Sequence, residues 1–446
     1  MLLAMTKQLM MIALLLQIVG VHNELCYVKC NKRRRTSDAE LPHYSKRRRV
    51  SWNGLVRNLG PIEFHRHHRI SEALFNKIHA RIWQHISTSA KYARRTCCRG
   101  SVSAVDSRSR LSMLLKHLAG SKMQDIERAH GVSRSTVVTS ITSVTKAILK
   151  EFPIPPFPFD NAAELKKIAD GFRKKSSGEL FENVVGAFDG YLLEITKACI
   201  SKRSGVKNPS KYYCRKQFFA INCQVCCDAD RKVTYVSMLS PGAVPDTLAF
   251  HKSNIHHAIR EGKIPAPYHF VADNAYPDSD TILTPYTRWD MQHDVRGQMD
   301  SYNYYLSQLR INIECCFGML VNRFPILLNA LRTTKLSTAT NTFMVCCILH
   351  NLCIDERLET CVTPANVAPA AGKRYTQRGE QRHADLVADA DFEYVERVNE
   401  EVADELCRLH ALTAPAMVHD EGISLKERMV HKIAALGYRR PTRNQP

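Results

Sequence analysis

Two short apolar runs in this chain close in the same way. Val184–Phe188 in VVGAFDG runs into Asp189, and His269–Ala272 in YHFVADN runs into Asp273. Each aspartate is followed by a turn-former, Gly190 or Asn274. A buried strand of about four to six residues reads this way when it delivers its last side chain to the edge of a sheet. A third acid, Glu314, lies in YYLSQLRINIECCFGMLVNRFPIL, where Leu306, Leu309, Ile313 and Phe317 recur at helical spacing. Taken singly these are bland features: strand-end aspartates form turns or caps, and helical glutamates are usually solvated. Brought together, they are an oxygen-only donor set suited to Mg²⁺ or Mn²⁺, which take few carboxylates and leave room for water and phosphate. Two such ions roughly 3.5–4 Å apart activate a water and stabilise the leaving oxygen in phosphodiester cleavage. Asp189, Asp273 and Glu314 are therefore the expected metal ligands and catalytic residues.

The surrounding segments predict an α/β fold, a mixed sheet flanked by helices. After the proline-rich joint EFPIPPFPF (151–159), a first strand covers Val184–Phe188. Phe218–Cys227 and Val233–Leu239 form an antiparallel pair turning near Asp228–Arg231. A helix starts at Asp246 and continues through His257, His269–Ala272 returns beside the first strand, and Ile282–Tyr286 adds one more before the Glu314 helix. Three strands, helix, strand, helix is the order of a ribonuclease-H-like core. Adjacent parallel placement of the first and fourth strands brings Asp189 and Asp273 together. Asp246 precedes TLAFHKSNI and suits an N-cap contributing ~1 kcal/mol, a supporting role rather than a catalytic one. Cys223 and Cys226 form a CxxC, but a strand sends the two to opposite faces, which excludes chelation by that pair.

Six pieces in a fixed order carry a family resemblance: FDGYLLEI (188–195), KYYCRKQFFAINCQVCCD (211–228), SPGAVPDTLAF (240–250), ADNAYP (272–277), the Glu314 helix, and CCILHNLCI (346–354). From about Ser51 to Asp355 the chain resembles the DDE endonuclease domain of PIF/Harbinger transposases and the host nucleases derived from them. The resemblance implies a DDE nuclease core that hydrolyses DNA by a two-metal mechanism and leaves a free 3′ hydroxyl. It implies DNA and a Myb/SANT-like protein as partners, and leaves room for a homo-oligomer. Asn303, Arg310 and Arg323 match family positions around the Glu314 helix. Arg310 stands one turn before Glu314, placed to pair with it or to bind phosphate. Where the family has histidine before the aspartate at 246, this chain has Pro245. His350 and Asn351 read as anchors of a closing helix. A reading from another class is a domesticated DNA-binding or chromatin-associated protein that keeps the fold without turnover.

The chain has 446 residues, enough for two or three domains, and a formal charge of +20 that favours a polyanionic partner. Its 16 cysteines include neighbouring pairs such as Cys226–Cys227 and Cys346–Cys347 in strand or core-helix positions, which suits free thiols in a reducing compartment. At the amino end, residues 1–50 combine the apolar run LMMIALLL (9–16), too short to span a membrane, with Lys32-Arg33-Arg34-Arg35 and Lys46-Arg47-Arg48-Arg49. The paired basic clusters read as a bipartite nuclear import signal; the apolar run read as a secretory leader gives the opposing, secreted assignment. No stable membrane span is expected.

Residues 51–150 read as helical, with Ser71 capping LFNKIHARIWQHI and His65–Arg69 forming a basic surface patch. Within 105–150 a helix-turn-helix is expected: helices over Arg110–Ala119 and Lys122–His130, a turn at Gly131-Val132, and a recognition helix capped by Ser133. Arg134, Ser135 and Thr139 would face a DNA groove, although Glu127 stands where such motifs have a small residue. Residues 151–180 are joint and linker, 181–355 the nuclease domain, and 356–446 a linker and helical tail ending in the amphipathic LKERMVHKIAALGY.

Overall fold

The computed structural model describes residues 50–57, 59–88, 104–201, 204–294, 296–356 and 423–441. The apolar run at 9–16, both basic clusters, Cys97–Cys98 and the acidic stretch of the tail lie outside those residues. The described residues belong to one of two compact units, Val50–Pro446.

Helices open this unit: α1 (Trp52–Val56), α2 (Pro61–His68), α3 (Glu72–Ile86), α4 (Ser107–Leu118), α5 (Met123–His130), α6 (Arg134–Glu151) and α7 (Ala162–Lys175). Then follow β1 (Val184–Glu194), β2 (Ala220–Cys227), β3 (Val233–Pro241), α8 (Asp246–His251), α9 (Asn254–Arg260), β4 (His269–Val271), β5 (Ile282–Leu283), α10 (Gln298–Arg323), α11 (Leu336–Asp355) and α12 (Leu425–Ala435). The sheet order is β3-β2-β1-β4-β5. β1, β2 and β3 pair antiparallel, while β4 joins β1 and β5 in parallel, so the sheet is mixed.

Local sequence accounts for the elements. Ser71 accepts from Leu74 N at 3.0 Å, and Leu74, Ile78, Ile82 and Ile86 form the buried stripe of α3. Gly131 ends α5 at φ 60°, a conformation open to glycine, and Ser133 accepts from Thr136 N to start α6. β2 is buried along its whole length because both faces of the sheet are covered. On one face Ile221, Cys223, Val225 and Cys227 join a core running from Phe64 through α10 and α11 to Ile433 of α12. On the other, Cys226 and Phe188 pack with Phe250, Ile255 and Phe270. Cys223 and Cys226 therefore face apart.

α11 is anchored where the sequence placed its anchors. Asn351 Oδ1 accepts from Val233 N at 2.8 Å, its Nδ2 donates to Val233 O at 2.7 Å, and the His350 ring meets Arg231 O. Among the described residues α11 alone has the length and apolar composition to cross a membrane, yet half of that window is buried among core residues.

Several expectations need correcting. β1 does not stop before Asp189; it continues to Glu194 because Gly190–Glu194 pair with Gln224–Ala220 of β2. Gly190 is thus a strand residue rather than a turn. The helix expected from Asp246 through His257 breaks at Lys252, and Ser253 caps α9 by accepting from His256 N at 3.2 Å. β5 ends at Leu283, ahead of Pro285, which has no N–H to extend a ladder. His68 of the expected surface patch is buried, with its ring nitrogens on Phe64 O and Ser112 Oγ.

Candidate active site

Strand register brings the two aspartates together. Ala187 of β1 pairs with Val271 of β4, the last partners on that ladder. Asp189 and Asp273 each stand two residues beyond that pair, at the same edge. Asp189 gains its place not by ending a strand but because β4 stops beside it. Alternation puts Asp189 on the face of Ala187, the side covered by α10. Gly190 N donates to Asp189 Oδ1 at 2.7 Å, and Asn274 N to Asp273 Oδ1 at 2.5 Å.

Charge is crowded here. Burial pushes the Asp189 carboxyl up to about 6, against the Gly190 N–H that favours its ionised form. Asp246 and Asp273 add to the rise, and the Arg310 guanidinium opposes it. Arg310 reaches from α10 and also donates to Glu314 Oε1 at 2.9 Å. It therefore links the helical acid to the strand acid through a shared cation. Glu314 remains 53% exposed at its side chain. Among the described residues, no three His, Cys, Asp or Glu side chains gather closely enough to cage an ion as they stand. Register brings the two aspartates to one edge, while Glu314 is paired with Arg310.

The flanking residues resolve clearly. Asn303 ties α10 to the segment after β5, its Oδ1 accepting from Tyr286 N at 2.7 Å and its Nδ2 donating to Tyr286 O at 3.0 Å. Arg323 is buried at the far end of α10 and acts electrostatically on His65 of α2, so it belongs to the helical region rather than to the acids. Arg134, Ser135 and Thr139 are exposed on α6, which packs on α3, α4 and α11.

Asp246 departs from its expected role. Pro245 holds the N-cap position, and the Asp246 carboxylate makes no capping bond. Its Oδ1 accepts instead from Asn222 Nδ2 at 2.9 Å and Gln224 Nε2 at 3.2 Å. The carboxylate lies over Gly190, so close that a Cβ there would sit 2.7 Å from Asp246 Cγ. Tyr276, buried, donates to Gln224 Oε1 at 2.6 Å. Gly190, Asn222, Gln224 and Tyr276 were missed from sequence, although one signal was present. In the otherwise apolar strand AINCQVCC, two amides stand at i and i+2, on one face, where a fully buried strand has no use for them unless they are bonded.

Residues 188–351 match the family described as DDE superfamily endonuclease. Over 261 residues the chain is 23% identical to "Putative nuclease HARBI1" of Rattus norvegicus, and equally so to that of Mus musculus; the match covers 57% of this chain and 69% of the relative. The protein of the same name from Bos taurus is 22% identical over 257 residues. The similarity to these nucleases is of modest identity. No solved structure matches.

Proposed function

We propose that the protein is a divalent-metal-dependent endonuclease of transposase origin that hydrolyses DNA phosphodiesters at Asp189, Asp273 and Glu314, on a ribonuclease-H-like core. The observation that carries this reading is the shared register of Asp189 and Asp273 beyond the last β1–β4 pair.

The residues fit a hard cation. The donors are all oxygens; burial raises the Asp189 carboxyl, the like charges of Asp246 and Asp273 add to the rise, and a bound cation would offset both. Asp189 and Asp273 would hold the metal, with Glu314 joining once it leaves Arg310. Bound Mg²⁺ or Mn²⁺, expected as two ions, supplies water activation and stabilises charge on the leaving oxygen. The chain's own part is to orient and to shield. The Gly190 and Asn274 amides fix one oxygen of each aspartate, leaving the other for a ligand. Arg310, with a buried Nε that has no hydrogen-bond partner, is a guanidinium available to a phosphate once Glu314 turns away.

DNA as the substrate is supported by the charge of +20 and by a groove lined by Lys166, Lys167, Lys174 and Lys175 of α7 together with Asp170 and Asp230. The α5–Gly131–α6 turn, with Arg134, Ser135 and Thr139 exposed, suits a helix-turn-helix that meets a DNA groove. The basic clusters at 32–35 and 46–49 suit nuclear import, and a Myb/SANT-like partner would fit the same setting.

Nicking of supercoiled plasmid tests the assignment. Purified protein should cut in Mn²⁺ or Mg²⁺ but not in EDTA, and Asp189→Asn, Asp273→Asn and Glu314→Gln should each abolish cutting. Undiminished cleavage by all three variants refutes the site. DNA binding without metal-dependent cleavage by the wild type assigns a non-catalytic adaptor instead.

A further inference from the structure

Behind Asp189, on the opposite face of β1, a hydrogen-bond chain runs in one direction only. The Val244 carbonyl can only accept, and it faces Asn222 Nδ2 at 2.9 Å, which fixes the Asn222 amide. Asn222 Oδ1 must then accept, and it does so from Gln224 Nε2 at 2.8 Å. That fixes Gln224 in turn, so its Oε1 must accept, and the buried Tyr276 hydroxyl donates to it. Both amide N–H groups left over converge on Asp246 Oδ1. Gly190, the cross-strand partner of Gln224, leaves the space in which the carboxylate lies. Tyr276 stands three residues beyond Asp273 and bonds its carbonyl through its own N–H, so one turn connects the origin of the chain to a proposed ligand. Of the acidic groups near Asp189, Asp246 acts on it ahead of Asp273.

A half-buried carboxylate that takes two side-chain amide donors and closes on a glycine is held for its charge rather than for its packing. We propose that Tyr276, Gln224 and Asn222 are positioning residues that hold the Asp246 carboxylate against Gly190, behind Asp189, so that its fixed negative charge sets the affinity of the site for a divalent cation. The inference rests on the metal-dependent reading above and adds a device to it. Asp246 tunes the metal from the back of the sheet, in the way that groups bonded behind a ligand change metal affinity by about 10–100-fold.

The test is Mn²⁺ binding to the full chain, measured by calorimetry and by electron paramagnetic resonance of free Mn²⁺, with no DNA present. Asp246→Asn keeps the shape and removes the charge, and should weaken Mn²⁺ binding at least tenfold. Tyr276→Phe removes a single hydroxyl and leaves Gln224 Oε1 without its donor, loosening the amide that holds Asp246; it should weaken binding severalfold while the circular dichroism spectrum stays native. Asp189→Asn should lose binding outright. If Asp246→Asn and Tyr276→Phe both bind Mn²⁺ as the wild type does while Asp189→Asn does not, the positioning role is overturned and the site stands. If Asp246→Asn fails to fold, Tyr276→Phe alone decides. Absence of Mn²⁺ binding by the wild type overturns the metal reading, and the positioning role with it.

Discussion

Replacing Gly190 with alanine is a one-carbon perturbation whose consequence can be worked from distances. The added Cβ would stand 2.7 Å from Asp246 Cγ, and carbon atoms rest about 3.5 Å or more apart. The carboxylate must therefore retreat by about 1 Å, or β1 must bow by as much. Retreat of the carboxylate stretches the bonds from Asn222 and Gln224 past hydrogen-bond range, since they start at 2.9 and 3.2 Å, while a bow in β1 carries the adjacent Asp189 with it. Overpacking of this kind costs about 1–3 kcal/mol, from which glycine's own entropic handicap in a strand returns roughly 0.5–1 kcal/mol. The net loss should be about 0–2.5 kcal/mol, too little to unfold a domain of ordinary stability. The effect on cleavage should be larger, because a displacement of about 1 Å at a reacting centre can cost on the order of 100-fold. Urea denaturation and plasmid nicking in Mn²⁺ measure the two quantities on one preparation. Gly60→Ala serves as control, since its Cβ would meet nothing within 4 Å. Full nicking activity with unchanged urea stability in Gly190→Ala would refute both the close approach of Asp246 and its bearing on the site.

Acid should destabilise the protein below about pH 6.5. Burial holds His68, His117 and His269 down to about 4 and His130 to about 3, so unfolding takes up protons and each contributes a loss of about 1.4 kcal/mol per pH unit in that window. Asp189 and Asp228, raised to about 6, gain stability over the same fall but are outnumbered; a urea midpoint that rises from pH 7 to pH 5 would contradict the balance. Charge reversal of Lys166, Lys167 and Lys174 to Glu should weaken DNA binding and flatten its salt dependence by up to about 0.9 logarithmic units for each phosphate no longer neutralised, and an unchanged slope would remove the groove from the DNA path. Asn351→Ala strands the N–H and C=O of Val233 and should cost about 1–3 kcal/mol in urea denaturation while leaving Mn²⁺ binding intact.

What could be read from the residues alone divides by range of interaction. The caps at Ser71 and Ser133, the stripe of α3 and the Gly131 turn are local, so spacing and residue type sufficed. Strand positions were legible because β2 and β3 are apolar runs bounded by a turn, and the β1–β4 parallel pairing followed from element order. Strand ends were not, because β1 past Asp189 is held by its ladder to β2 rather than by its own composition. The same limit explains Asp246. A carboxylate one residue into a helix has a cheap local partner in the backbone, and sequence favours that choice. The chain instead places two side-chain amides 22 and 24 positions away, on the strand opposite Gly190, and they outcompete the cap.

That competition bears on how the acids should be ranked. Asp189 and Asp273 meet through backbone register, which any sheet of this order supplies. Glu314 is the conditional member, because its position depends on whether Arg310 or a cation holds it. The guanidinium paired with Glu314 and acting on Asp189 carries charge that a metal would otherwise bring. Arg310 thus offsets only part of the acidic charge, and a metal that takes Glu314 as a ligand would have to displace Arg310 from it. Arg310→Ala separates these roles: it should ease Mn²⁺ binding by removing the competing cation while slowing cleavage by removing the group that grips the phosphate. Weakened Mn²⁺ binding together with slowed cleavage would mean that Arg310 only holds α10 in place.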